Sequence, residues 1–105
     1  MIRAEIFSKD DKITGFSIKG HSGSAPKGQD IYCAGVSTLS DSTYLCIENY
    51  LKREIIGESS DGKLVLKLKT SPDEITEAVF QTLLIGLKEI EKLVPNLLKV
   101  KIVRT

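Results

Sequence analysis

The sequence has no tryptophan, one methionine, three prolines, one histidine and two cysteines. One histidine and two distant cysteines do not make a tetrahedral zinc site. Cys33 and Cys46 fall in one predicted helix, and thirteen residues at 1.5 Å each separate them by about 20 Å. A disulfide needs Cα atoms within about 7 Å, so no staple within the chain is expected, nor any metal or other cofactor. There is no apolar run of the roughly eighteen residues that a membrane span requires. The opening "MIRAEIFSKD" lacks the apolar core of a signal peptide. A cytoplasmic setting, with reduced thiols, is expected. Neither sign of charge is in excess: fifteen basic and fourteen acidic residues leave +1, so no global field recruits nucleic acid, and its direct binding is not expected.

What is present fits one ordinary globular domain over residues 1–105, with 41% hydrophobic and 28% charged residues. "IRAEIF" alternates with Ile2, Ala4 and Ile6 on one face, which is strand periodicity. "KDDK" turns the chain and "ITGFSIKG" forms a second strand, so the two read as a hairpin. A long helical pattern then puts Tyr32, Val36, Leu39, Thr43, Ile47 and Tyr50 on one face. "REIIGESSDGKLVLKLKT" reads as two strands around a turn at Ser60, Asp61 and Gly62. A second helix starts where Ser71 caps, Pro72 takes the first helical position and Glu74 completes a capping box. Its apolar surplus, Leu83, Leu84, Ile85 and Leu87, exceeds one sheet contact and predicts double burial or a subunit interface. After Pro95 and Asn96, "LLKVKIVR" alternates as a last strand. The order ββαββαβ, with one apolar face per strand, predicts an α+β two-layer sandwich: a mostly antiparallel sheet with both helices on one face. The other face would carry Lys63, Lys67, Lys69, Lys99 and Lys101. It reads as a solvated surface, with RNA contact as the alternative.

The stretch "GHSGSAPKGQDIYCAGVS", residues 20 to 37, carries the chemistry. A glycine-rich loop leading into a helix can grip phosphate, but Gln29 and Asp30 stand where a Walker loop needs Lys and Ser or Thr. A cysteine-phosphatase loop fails as well, because Leu39 occupies the place of its arginine. A free cysteine is more commonly a small buried hydrophobe, and Cys46 reads that way. Cys33 is different. With Asp30 as N-cap the thiol stands in the first helical turn, where the helix dipole favours thiolate. Ser37, Ser40 and Tyr44 follow it along one more polar face, so the thiol is expected to be exposed. His21 directly follows a strand, and its imidazole could take the thiol proton and later protonate the leaving amine. Main-chain N–H groups at the helix start are natural oxyanion donors. The loop from Ser22 to Gln29 has only Ala25 as an apolar side chain, so mobility without substrate is expected.

These residues resemble the signature of the ribosomal-processing cysteine proteases, the Prp family. The resemblance rests on Gly20, His21, Gly23, Gly28, Asp30, Cys33, Ala34 and Ser37 with their spacing intact. Tyr32 is bulkier than the small aliphatic residue of that pattern. The resemblance implies a cysteine endopeptidase that removes a short N-terminal extension from bacterial large-subunit ribosomal protein twenty-seven. It makes Cys33 the nucleophile and His21 its base, with Gly20, Asp30 and Ser37 in support. It also implies a homodimer, and a loop at residues 22 to 29 that closes over the peptide. Asp30 reads first as a helix cap and second as a charge that orients His21 or contacts substrate. Ser37, one turn beyond Cys33, either hydrogen-bonds to the site or is simply exposed. The competing function class is a non-catalytic ribosome- or RNA-associated binding module that uses the lysine face.

Overall fold

A computed structural model describes residues 1–20 and 30–105, apart from the side chain of Asp30. Strand β1 (Ile2–Lys9) and strand β2 (Lys12–Lys19) form the expected hairpin. Asp10 and Asp11 both take positive φ, 51° and 66°, the left-handed pair that matches the twist of a two-residue hairpin and that aspartate tolerates. Helix α1 (Asp30–Leu45) follows, then β3 (Ile55–Ser60), β4 (Lys63–Leu68), α2 (Glu74–Leu93) and β5 (Leu98–Arg104). The sheet order is β3-β4-β2-β1-β5. Strand β5 runs parallel to β1, and every other neighbouring pair is antiparallel.

The register aligns Leu66, Phe16 and Ile6 across three strands, and Leu98 beside Ile2. All are buried. Their face carries both helices. Phe80 of α2 meets Phe16 edge-on, with ring centroids 6.2 Å apart, a geometry that adds to simple burial. Val36 and Ser40 of α1 face Ile2, Ile18 and Leu64 around one cavity. The helices also meet each other: a Cβ on Gly86 of α2 would come within 2.4 Å of a Leu39 methyl on α1. The chain thus forms the expected two-layer sandwich. Lys63, Lys67, Lys99 and Lys101 stand on the opposite face by register.

Two local expectations are corrected, and the two-way expectation for the second helix falls mostly to burial. The first helix keeps α geometry only to Leu45, and a single π-helical turn follows at Cys46–Tyr50, closed by Leu51 N–H on the Cys46 carbonyl at 2.8 Å. The wider turn delays the return to the core by about one residue. Tyr50 is therefore 80% exposed and Leu51 packs in its place. The apolar surplus of α2 is mostly absorbed within the protomer, since Leu83, Leu84 and Leu87 are buried and only Ile85, 61% exposed, faces out.

The start of α2 lies two residues beyond the expected cap. Asp73 is the N-cap: its carboxylate accepts from the N–H groups of Ile75 and Thr76 at 2.9 and 3.0 Å. The Thr76 hydroxyl answers by accepting from Asp73 N–H at 3.0 Å, a reciprocal box of the kind expected of Ser71 and Glu74 but set two residues later. Arg53, from the segment before β3, pairs with the same carboxylate. That hydrogen bond, followed by the one from Thr76 N–H, holds the Asp73 carboxyl below its ordinary range. A depressed folded-state pKa contributes stability above the unfolded value of about 3.9 and loses it as pH falls through the folded pKa. Asp73→Asn keeps a capping side chain without the charge. The thermal midpoint of the wild type should exceed that of the variant at pH 7, and the gap should close as the medium is acidified below about pH 4. A gap that does not change with pH would show that the carboxylate's charge contributes nothing.

Candidate functional site

The site is assembled at one end of the sheet, where β2 ends and α1 begins. Gly20 closes β2 with φ +121°, a left-handed value that side chains resist. A Cβ there would also lie 2.4 Å from the Met1 carbonyl oxygen. Its N–H donates to the carbonyl of Gly62, in the β3–β4 turn, at 3.0 Å. Gly20 therefore locks the end of β2 between β1 and the β3–β4 turn. His21 follows it immediately, and His21 with residues 22 to 29 lies outside the described residues. The expectations of an imidazole beside the thiol and of a mobile loop both fall there. Helix α1 begins at Asp30. The expected role of that residue as a cap lies outside what is described, because its side chain is.

Cys33 is the fourth residue of α1, close enough to the helix start for the N-terminal N–H groups and dipole to act on it. The expected exposure of its thiol is corrected: Cys33 is only 4% exposed. Its burial follows from the helix face that turns inward, Cys33, Val36, Ser40, Thr43 and Ile47, all buried at spacings of three and four. Tyr32 and Leu39 flank this stripe and are half-buried. The hydroxyl of Ser40 suits the polar face, yet the residue is 1% exposed. Thr43 meets its hydroxyl's need within the helix by donating to the Leu39 carbonyl at 2.8 Å. The Ser40 Oγ has no hydrogen-bond partner among the described residues. Cys46, expected to be buried, is half-buried in the π turn. Tyr44 is half-buried as well, and its phenol is pushed up by burial and then by the charge of Glu48, which keeps it protonated.

Beside this stretch of α1 opens a cavity of about 300 Å³. Gly20 lines it from the sheet, Ser37, Ser40 and Asp41 from α1, and Ser59, Ser60, Asp61 and Lys63 from the β3–β4 hairpin. The structure thus brings together Gly20 and Ser37, two of the residues singled out in the sequence. Ser37 is exposed and sits one turn past Cys33. The hairpin wall was not legible in the sequence, because it depends on β4 pairing with β2 rather than on any local motif. Lys63 is tied to Glu58 at 3.2 Å, and the carboxylates of Asp41 and Asp61 also line the cavity.

Cys33 itself does not line this cavity, but it stands near the helix start one turn before Val36 and Ser37, which do. A thiol near a helix start can serve as a nucleophile toward a carbonyl. The model of the family described as cysteine protease Prp matches residues 1–99. Among curated protein sequences no relative is found. Three solved structures superpose over nearly the whole chain. SMU.848 from Streptococcus mutans is 26% identical, with a TM-score of 0.81 over 100% of this chain and 96% of that one. The essential ribosomal processing protease Prp from S. aureus in complex with a substrate peptide is 22% identical, with a TM-score of 0.86 over 98% of this chain and all of that one. The same protease with a covalently linked product peptide gives 23% and 0.85 over the same shares. With the family model spanning all but the last residues of the sequence, the chain belongs to the cysteine protease Prp family.

Proposed function

We propose that this cysteine protease acts as an endopeptidase on a ribosomal precursor, removing the N-terminal extension of large-subunit ribosomal protein twenty-seven in the cytoplasm. Cys33 attacks the scissile carbonyl. His21 takes the thiol proton and returns it to the leaving amine, so that an acyl-enzyme forms and water then releases it. N–H groups at the start of α1 stabilise the oxyanion, and Gly20, Asp30 and Ser37 support the arrangement. The observation that carries this reading is Cys33 in the first turn of α1, one turn from the cavity residue Ser37, within a chain matched from residue 1 to 99 by a cysteine protease family. The S. aureus protein of the same fold is described as a ribosomal processing protease and has been seen with a substrate peptide.

The active form is proposed to be a homodimer. Ile75, Ile85 and Leu93 remain exposed on α2, at 56%, 61% and 66%, and leave apolar surface for a second copy. The test combines the purified protein with the ribosomal precursor of its own organism and reads both products by mass spectrometry, with light scattering for the assembly. A single cut that leaves the mature N-terminus is the expected result. An uncut precursor would overturn the substrate, and a monomer at micromolar concentration would overturn the dimer.

A further inference from the structure

The near-neutral total charge hides an uneven distribution on the sheet face turned away from the helices. Register sets Lys63 beside Lys19, Lys19 beside Arg3, and Arg3 beside Lys99. Four cations thus stand shoulder to shoulder across β4, β2, β1 and β5. At about 4.8 Å between strands the row is about 14 Å long. Lys63 is paired with Glu58. Arg3, Lys19 and Lys99 are exposed and have no ion pair among the described residues.

Like charges directly opposite each other destabilise a sheet, so the row works against folding unless something anionic lies on it. Protection of open edges does not explain it. Lysines do guard edge strands, but Lys19 and Arg3 sit on β2 and β1, which have neighbours on both sides. Two other cations of this face have partners nearby: Lys67 lies over the Phe7 ring at 5.0 Å, and Lys101 faces Glu5 across β1 and β5.

We infer that the row is a docking surface for the phosphate backbone of RNA. A polynucleotide has a negative charge on every residue, and a fixed line of cations gains affinity by releasing its counterions, whatever the base sequence. A lipid surface would call for apolar side chains among the basic ones, and the row Lys63–Lys19–Arg3–Lys99 has none. The row lies at the same end of the sheet as the site, since Lys19 precedes Gly20 and Lys63 lines the cavity. RNA bound there would hold the enzyme with its cavity beside whatever protein is attached to that RNA. The inference is independent of which peptide is cleaved.

The experiment is fluorescence anisotropy of a labelled single-stranded RNA of mixed sequence, titrated with the full chain at 50 and 200 mM salt. Three phosphate contacts on a single strand, from Arg3, Lys19 and Lys99, imply a slope near −2.1 in log–log form, a loss of about 18-fold in affinity between those conditions. The pair Arg3→Glu, Lys19→Glu should abolish binding and, by removing repulsion, leave the thermal midpoint unchanged or higher. Arg3→Gln with Lys19→Gln serves if the charge reversal does not fold, and it should weaken binding at least tenfold. No binding at 50 mM salt, or binding that ignores these substitutions, overturns the inference. So does equal affinity for polyglutamate, or for vesicles of phosphatidylcholine and phosphatidylserine, since either would make RNA incidental.

Discussion

Cys33→Ala should eliminate peptide cleavage, with a loss in kcat on the order of 10⁶, the scale seen when the nucleophile of a serine peptidase is removed. No other thiol can replace it, because Cys46 sits beyond the far end of α1 in the π turn. Alanine also fits the site: Cys33 is 4% exposed among apolar neighbours, so losing one sulfur leaves a small void and the variant should fold. Cys33→Ser, closer in size, should be inactive as well while still binding peptide. Alkylation gives an independent measure of the same role. Exposure alone ranks the half-buried Cys46 above Cys33. An activated nucleophile reverses that order, with Cys33 reacting first. Undiminished cleavage by the alanine variant would end the assignment of Cys33.

His21→Ala should slow cleavage by about 10²–10⁴, the usual contribution of a general base. Gly20, the residue before it in sequence, is pinned by its bond to the Gly62 carbonyl and by its close approach to Met1. The pH dependence separates a base from a bystander. If His21 is the base, the variant should lose one limb of the wild-type pH profile along with the rate. A variant with the wild-type profile and wild-type rate would mean that another group activates the thiol.

Much of this was legible in the sequence because strand periodicity and turn chemistry agreed with the fold at nearly every step. "KDDK" forced a two-residue hairpin, the alternation of Ile2, Ala4 and Ile6 chose the core face, and the element order left few ways to close a sheet. The inward face of α1 was less legible at one position. Thr43 is inward as expected, and its hydroxyl bonds back to the Leu39 carbonyl, but the hydroxyl of Ser40 groups that residue with Ser37 and Tyr44 on a polar face. The same grouping places Cys33 outside. The start of α2 was hidden because Ser71 and Asp73 are both good caps in isolation, each with a box partner three residues on, and Arg53, distant in sequence, adds its charge on the side of Asp73. The site glycine was legible as a motif, while its physical necessity depends on a contact with the Met1 carbonyl that no local pattern encodes.

The pairing of β5 with β1 has a consequence for how the protein is made. Ile2 and Leu98 are register partners, so the parallel ladder joins nearly opposite ends of the sequence and must close a very long loop. During synthesis β1 emerges early and can pair with β2 at once. Its other side then stays open until β5 arrives, after both helices have been made. The backbone of β1 also supports Gly20 through Met1. The end of the sheet that carries the candidate site is therefore secured from both sides only after β5 has been made.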